Sequence, residues 1–204
     1  MSLPIYRPPT PKEELDQQWS DTSDGERIAR TLSFATEEVE GLDLLDVGCG
    51  SGWYARWATA RGARVVAVDG AASALKQIKQ RTECALLPNL PFIDESFDQV
   101  ACLDVIGTLE PKLYALTISE LSRLLRPGGE LLLSTPVGSW RAVMRLEALL
   151  DCEFTTVGWR LSSKRWGRGR WAEWLSEKIA PKRSVSHVIY KGSRRLSRGT
   201  QLNP

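Results

Sequence analysis

Three glycines at alternate positions, Gly48, Gly50 and Gly52, follow the run Leu44-Leu45-Asp46-Val47 and stand immediately before Trp53. Glycine lets a backbone turn sharply and leaves room for a ligand where a Cβ would collide. One helix further along, Arg64-Val65-Val66-Ala67-Val68 ends in Asp69. A carboxylate at the carboxyl end of a strand is placed to accept two hydrogen bonds from a ribose diol. Together the glycine turn and the strand-end acid point to a nucleoside-containing cofactor. A dinucleotide fingerprint would require G-x-G-x-x-G. Here Trp53 occupies the position of the third glycine, and the G-x-G-x-G run is preceded by an acid, Asp46.

These residues need strands to carry them and helices to space the strands. Leu42 to Val47 reads as a first strand and Trp53 to Arg61 as a helix, with Gly62 as its C-cap. Arg64 to Val68 is a second strand, Ala72 to Arg81 a second helix and Glu83 to Leu86 a short third strand. Phe97 to Leu103 is the fourth strand, and Pro111 to Leu125 a helix opened by its proline. Pro127-Gly128-Gly129 turns the chain into a fifth strand, Glu130 to Ser134. After a helix over Trp140 to Leu150 come two further strands, Glu153 to Leu161 and Val185 to Tyr190. Ahead of them all, Ile28, Leu32 and Ala35 have helical spacing within Asp24 to Val39, with Asp24 as N-cap. A shorter helix is expected around Glu13 to Trp19. Strands alternating with helices demand a parallel sheet with right-handed crossovers.

The 204 residues fit one α/β domain, and the 42% hydrophobic content supplies its core. No apolar run approaches the ~18 residues of a membrane span, and Met1 to Lys12 lacks the apolar stretch of a secretory signal. The expectation is a cytoplasmic protein. Cys49, Cys84, Cys102 and Cys152 are scattered without a C-x-x-C pair, and His187 is the single histidine. Free buried thiols and a structural strand histidine are expected. Nucleophilic couples with histidine and histidine-rich metal sites are disfavoured, so no metal is expected.

With these residues in place the chain resembles the class I S-adenosylmethionine (SAM)-dependent methyltransferases, in particular the methyltransferase type 11-like group. "LLDVGCGSG" resembles their first motif and "VVAVDG" the acidic end of their second strand. "LPFIDESFDQVACLDVI" resembles the segment through their fourth strand, and "LLRPGGELLLSTP" the turn and fifth strand. The resemblance spans Leu42 to Pro136 in the family's order. It implies a Rossmann-like, doubly wound, seven-stranded, mostly parallel sheet of order 3-2-1-4-5-7-6, with strand seven antiparallel. It also implies SAM as cofactor, leaving as S-adenosylhomocysteine (SAH). Asp46, Gly48, Gly50, Gly52, Asp69, Gly70, Leu86, Leu87 and Leu103 fall on its binding positions.

Two departures stand out. Many relatives set an Asp against the adenine amine where this chain reads Ala85-Leu86-Leu87-Pro88-Asn89. Leu86 or Leu87 can then pack on the ring, with the amine met by backbone or by Asn89. After the fourth strand, Thr108 stands where relatives often carry a histidine or other polar residue facing the acceptor. A general base is needed only if the acceptor loses a proton. Asp104 is the one carboxylate beside the motif that could serve, and no histidine is expected near it.

From Thr156 onward there are 12 lysines and arginines against 2 acidic residues. Trp159, Trp166, Trp171 and Trp174 are interleaved there with Arg160, Lys164, Arg165, Arg168 and Arg170, and Trp171, Trp174, Leu175 and Ile179 share a helical face. The single domain is thus expected to carry N-terminal helices over about 12–40 and a basic, Trp-rich elaboration over about 162–184. That elaboration either covers the sheet edge or caps an acceptor pocket beside the cofactor. The leading expectation is methyl transfer to a small-molecule or lipid-like, amphipathic acceptor, with contact to an acidic membrane surface as a corollary. The alternatives are a non-catalytic SAM-binding or regulatory protein, and a tRNA or protein methyltransferase docking nucleic acid or protein through the basic tail.

Overall fold

Seven strands form one sheet in the order β3-β2-β1-β4-β5-β7-β6. The computed structural model describes residues 31–35, 38–76, 78–162 and 187–195. The strands are β1 (Asp43–Val47), β2 (Arg64–Asp69), β3 (Arg81–Cys84), β4 (Phe97–Leu103), β5 (Leu125–Pro136), β6 (Phe154–Ser162) and β7 (His187–Arg194). Between them lie helices α1 (Trp53–Thr59), α2 (Ala72–Leu75), α3 (Tyr114–Leu124) and α4 (Trp140–Glu153). Only β7 runs antiparallel to its neighbours, β5 and β6. Strand order reverses direction at β1, where crossovers to β2 and β4 leave on opposite sides. That is where an open α/β sheet offers a crevice to ligands.

Alternation along each strand sorts the core into two layers. Leu45, Val47, Val100, Leu131, Leu133 and Tyr190 pack with Ile118, Leu121, Leu146 and Leu150 of α3 and α4. Leu44, Val65, Ala67, Ala101, Leu132 and Ile189 pack with Tyr54, Ala55, Trp57 and Ala58 of α1. The central strands are therefore mostly apolar, interrupted by Asp46 and Gln99, because both of their faces are covered. A polar chain stitches the α1 side together. Tyr54 donates to Gln99 Oε1 (3.1 Å), Gln99 Nε2 donates to Glu130 Oε1 (2.8 Å), and Lys191 lies 2.9 Å from Glu130 Oε2.

Several element bounds differ from expectation. The second helix is a single turn ending at Leu75, and Arg81 already opens β3, which ends at Cys84 rather than Leu86. Pairing of Val66 with Arg81 and Asp69 with Cys84 pulls this polar segment into the sheet, overriding its helical spacing. Pro127-Gly128-Gly129 is not a separate turn but an irregular entry within a twelve-residue β5. The pairing between β4 and β5 shifts there, between Phe97 and Gln99. Two 3₁₀ turns, Ile106–Thr108 and Pro111–Leu113, precede α3, so the proline opens a 3₁₀ turn first. Residues 31 and 32 are helical and pass into a turn, so no helix continues to Val39. Asp24, the helix at Glu13 to Trp19 and the basic residues and tryptophans from Lys164 to Ile179 lie outside the described residues. Of the four thiols, Cys49 and Cys102 are buried as expected, whereas Cys84 and Cys152 are exposed; all are free.

Candidate functional site

Gly48, Gly50 and Gly52 all adopt positive φ (67°, 49° and 70°) in the loop from β1 to α1. The loop is pinned from below, with Gly48 N and Cys49 N both donating to Val68 O of β2. It is pinned from the side by Asp69, whose Oδ2 accepts from Gly50 N (2.9 Å) and whose Oδ1 accepts from Ala71 N (2.8 Å). Each carboxylate oxygen keeps a second lone pair for a further donor. A Cβ built on Gly50 would meet nothing within 4 Å, so the concave side of the loop opens onto free space. Gly48 and Gly70 are constrained differently. A Cβ on Gly48 would sit 2.1 Å from Val105 Cγ2, and one on Gly70 would sit 2.2 Å from Leu86 Cδ2. Val105 and a positive φ demand glycine at 48, the Gly70 contact is one the exposed Leu86 can relieve, and Gly50 borders open space.

Asp46 is buried beneath the loop. Its Oδ2 accepts from Ala55 N (3.1 Å) and so caps α1, whose N-cap, Gly52, has no side chain to do so. Burial, and secondarily the charge of Asp69, pushes its pKa up to about 7 against the pull of the Ala55 N–H. A positively charged ligand over the glycine loop would act on it through space. The same burial raises the Cys49 and Cys102 thiols to about 12, which removes both as nucleophiles at neutral pH.

The adenine-side residues divide. Leu86 is 73% exposed beside Gly70 and free to lie against a ring, whereas Leu87 packs onto the core. Leu103 is half-buried against the α1-side core at the carboxyl end of β4. The loop before β4 is anchored by Arg123 of α3, which donates to Phe92 O (2.8 Å) and Leu90 O (3.3 Å) and pairs with Asp94 and Glu120. Glu120 in turn accepts from Leu90 N (2.9 Å). Arg123 was not among the expected site residues; the acidic-basic i, i+3 pair on α3 reads in sequence as surface charge.

Asp104 follows β4 with φ +61°, a conformation that short polar residues tolerate. Its Oδ1 accepts from Ser134 Oγ (3.0 Å) and lies 2.6 Å from His187 Nε2. The expectation that no histidine stands near this carboxylate is overturned. His187 opens β7, and because β7 is antiparallel its first residue pairs with Pro136, the last residue of β5. The histidine thus reaches the carboxyl edge of the sheet from a distance of 83 residues in sequence. Thr108, by contrast, is exposed and spends its hydroxyl on Val105 O (2.7 Å).

Residues 45–133 match the model of the methyltransferase domain family. The chain is 35% identical over 116 residues to malonyl-[acyl-carrier protein] O-methyltransferase of Erwinia billingiae, covering 54% of this chain and 44% of that one. It is 33% identical over 127 residues to ubiquinone biosynthesis O-methyltransferase of Alkalilimnicola ehrlichii, covering 55% and 51%. The chain thus spans about half the length of these curated relatives. A SAM-dependent methyltransferase from Mesorhizobium loti superimposes with a TM-score of 0.61 at 19% identity, over 81% of this chain and 96% of that one. With this sheet order and glycine loop, the chain has the class I methyltransferase fold, and its residues 45–133 are similar to the methyltransferase domain family.

Proposed function

We propose that the chain binds SAM at the carboxyl edge of β1 and β2 and transfers its methyl group to a small or lipid-like acceptor. The observation that supports this most directly is the glycine loop closed onto Asp69, with Gly50 facing free space. In this reading Asp69 takes the ribose hydroxyls, and the Gly48–Gly52 backbone lies along the ribose and the amino-acid part. Gly70, Leu86, Leu87 and Leu103 border the adenine, and Asp46 supplies negative potential beneath the sulfonium. SAM, when bound, supplies a methyl group on a good leaving group, so alignment and exclusion of water are the protein's main tasks. The relative named for ubiquinone-biosynthesis O-methylation supports a small or lipid-like acceptor.

The basic, Trp-rich stretch over about 162–184 is proposed as the part of this domain that selects the acceptor. Its anchors support that reading. Ser162 ends β6 and pairs with His187 at the start of β7, so the stretch leaves and rejoins the sheet at the edge that carries the glycine loop.

Titration calorimetry with SAM, SAH and NAD tests the cofactor assignment. SAM and SAH should bind and NAD should not, because Trp53 replaces the dinucleotide glycine. NAD binding without SAM binding would overturn the reading.

A further inference from the structure

We propose that His187, held by Asp104, is the general base that takes the acceptor's proton, and that the acceptor therefore enters as a hydroxyl rather than as a carboxylate. This rests on the methyltransferase reading above. Four observations converge on it. Asp104 Oδ1 lies 2.6 Å from His187 Nε2 and also accepts from Ser134 Oγ, so the imidazole is held through Nε2–H. Nδ1 is then the basic nitrogen, and no other side-chain hydrogen bond engages the ring among the described residues. The pair is not sealed in the core: 17% of the His187 side chain and 20% of Asp104 remain exposed.

The location is the fourth observation. Alternation puts Asp46, Ala101, Leu103, Ser134, Ile189 and His187 on the sheet face that α1 covers. Val105, the residue after Asp104, lies directly against Gly48. The dyad therefore shares an edge and a face with the glycine loop, Asp104 one strand along from β1 and His187 three. An imidazole oriented by a carboxylate is an arrangement suited to proton abstraction. A buried structural histidine would need neither exposure nor this edge.

The step balances as follows. An acceptor oxygen forms the new C–O bond, the carbon–sulfur pair stays on sulfur, and the hydroxyl proton ends on Nδ1 of His187. The resulting imidazolium is stabilised by Asp104 and returns its proton to solvent. A carboxylate acceptor arrives already deprotonated and would leave the dyad without a task. Asp104 touches no reacting atom and is a positioning residue. Among the described residues, the charged groups nearest His187 on the strands around it are Asp104 at the end of β4 and Arg160 on β6, the latter engaged with Ser33 and the Phe34 ring. Strand β5 contributes the uncharged Ser134 and Pro136. Further along β7, Lys191 is tied to Glu130.

Because His187 is the chain's single histidine, its imidazole can be followed by nitrogen–proton correlation spectroscopy without assignment. Native protein should show the Nε2–H tautomer, and Asp104→Asn should lose that preference. For the chemistry, native protein is given SAM labelled with ¹³C on the methyl and a metabolite extract of its own cells. The label should appear as a methyl ether. His187→Gln should bind SAM with unchanged affinity yet transfer roughly 100-fold more slowly at neutral pH, with recovery as pH rises toward the ionisation of the hydroxyl. A methyl ester as the only product, near-native turnover by folded His187→Gln, or an imidazole indifferent to Asp104→Asn would each overturn the proposal. So would SAM binding with no hydroxyl in the extract labelled. Failure to bind SAM at all would instead strike the reading beneath it.

Discussion

Asp46 carries two opposing influences whose balance can be measured. Its carboxyl accepts the Ala55 N–H at the start of α1, yet burial dominates and raises its pKa from 3.8 to about 7. A folded-state pKa above the unfolded one means that the native state binds the extra proton. The group's contribution to stability is therefore complete below pH 3.8 and is lost as pH rises through 7. By pH 8 the loss should be on the order of 1–4 kcal/mol. Asp46→Asn, which keeps an acceptor for the cap, should flatten that part of a urea-denaturation pH profile. Bound SAM brings a positive sulfonium that SAH lacks. SAM binding near pH 6.5 should thus release more protons than SAH binding, as read by calorimetry in buffers of different ionisation enthalpy. Equal release would place Asp46 outside the sulfonium's field. Asp69 acts more directly. Removing its carboxylate in Asp69→Ala should weaken SAM by about 1.5–3 kcal/mol, since it frees Gly50 N as well as the ribose contact.

Element placement at this site depends on anchors that cross from one segment to another. The loop from β3 to β4, which carries Leu86 and Leu87, has little regular structure of its own. It is held by α3: Arg123 reaches two of its carbonyls, and Glu120 accepts from Leu90 N. The Arg123 hydrogen bond, followed by the Leu90 N–H and opposed by burial, keeps the Glu120 carboxyl below its ordinary range. Arg123→Met retains much of the stem but strands Glu120 and two loop carbonyls. It should cost about 1–3 kcal/mol in urea unfolding and weaken SAM more than it weakens a fragment lacking adenine. Equal loss for both ligands would show that the loop does not border the base.

For the molecule as a whole, the antiparallel β7 is the decisive feature. It returns the chain between β5 and β6, and it pairs Ser162 with His187, the residues that flank the 163–186 stretch, at the carboxyl edge of the sheet. If that stretch selects the acceptor, Trp171→Ala with Trp174→Ala should leave SAM affinity within a few-fold of native. Transfer should fall ten-fold or more, on the order of 1.4 kcal/mol of lost alignment and contact. Full activity in the folded double variant would reduce the stretch to sheet cover.

The sequence alone determined the glycine loop and the strands that flank it, because that part of the fold is local. The glycine loop and its flanking strands form one contiguous run, Asp43 to Asp69, in which spacing, apolar runs and turn residues all report on structure at short range. Strand β4 is legible to the residue for the same reason: the turn at Glu95 precedes it, and its apolar stretch Val100 to Leu103 stops at Asp104. The β3 segment was misread because its polar residues carry no strand pattern and are recruited only by pairing with β2. The dyad was illegible for a different reason. Asp104 and His187 lie 83 residues apart, and neither sits in a motif that names the other. Only the antiparallel insertion of β7 sets the head of that strand beside the end of β4, because a pairing between distant strands, and no local pattern, brings the imidazole to the carboxylate.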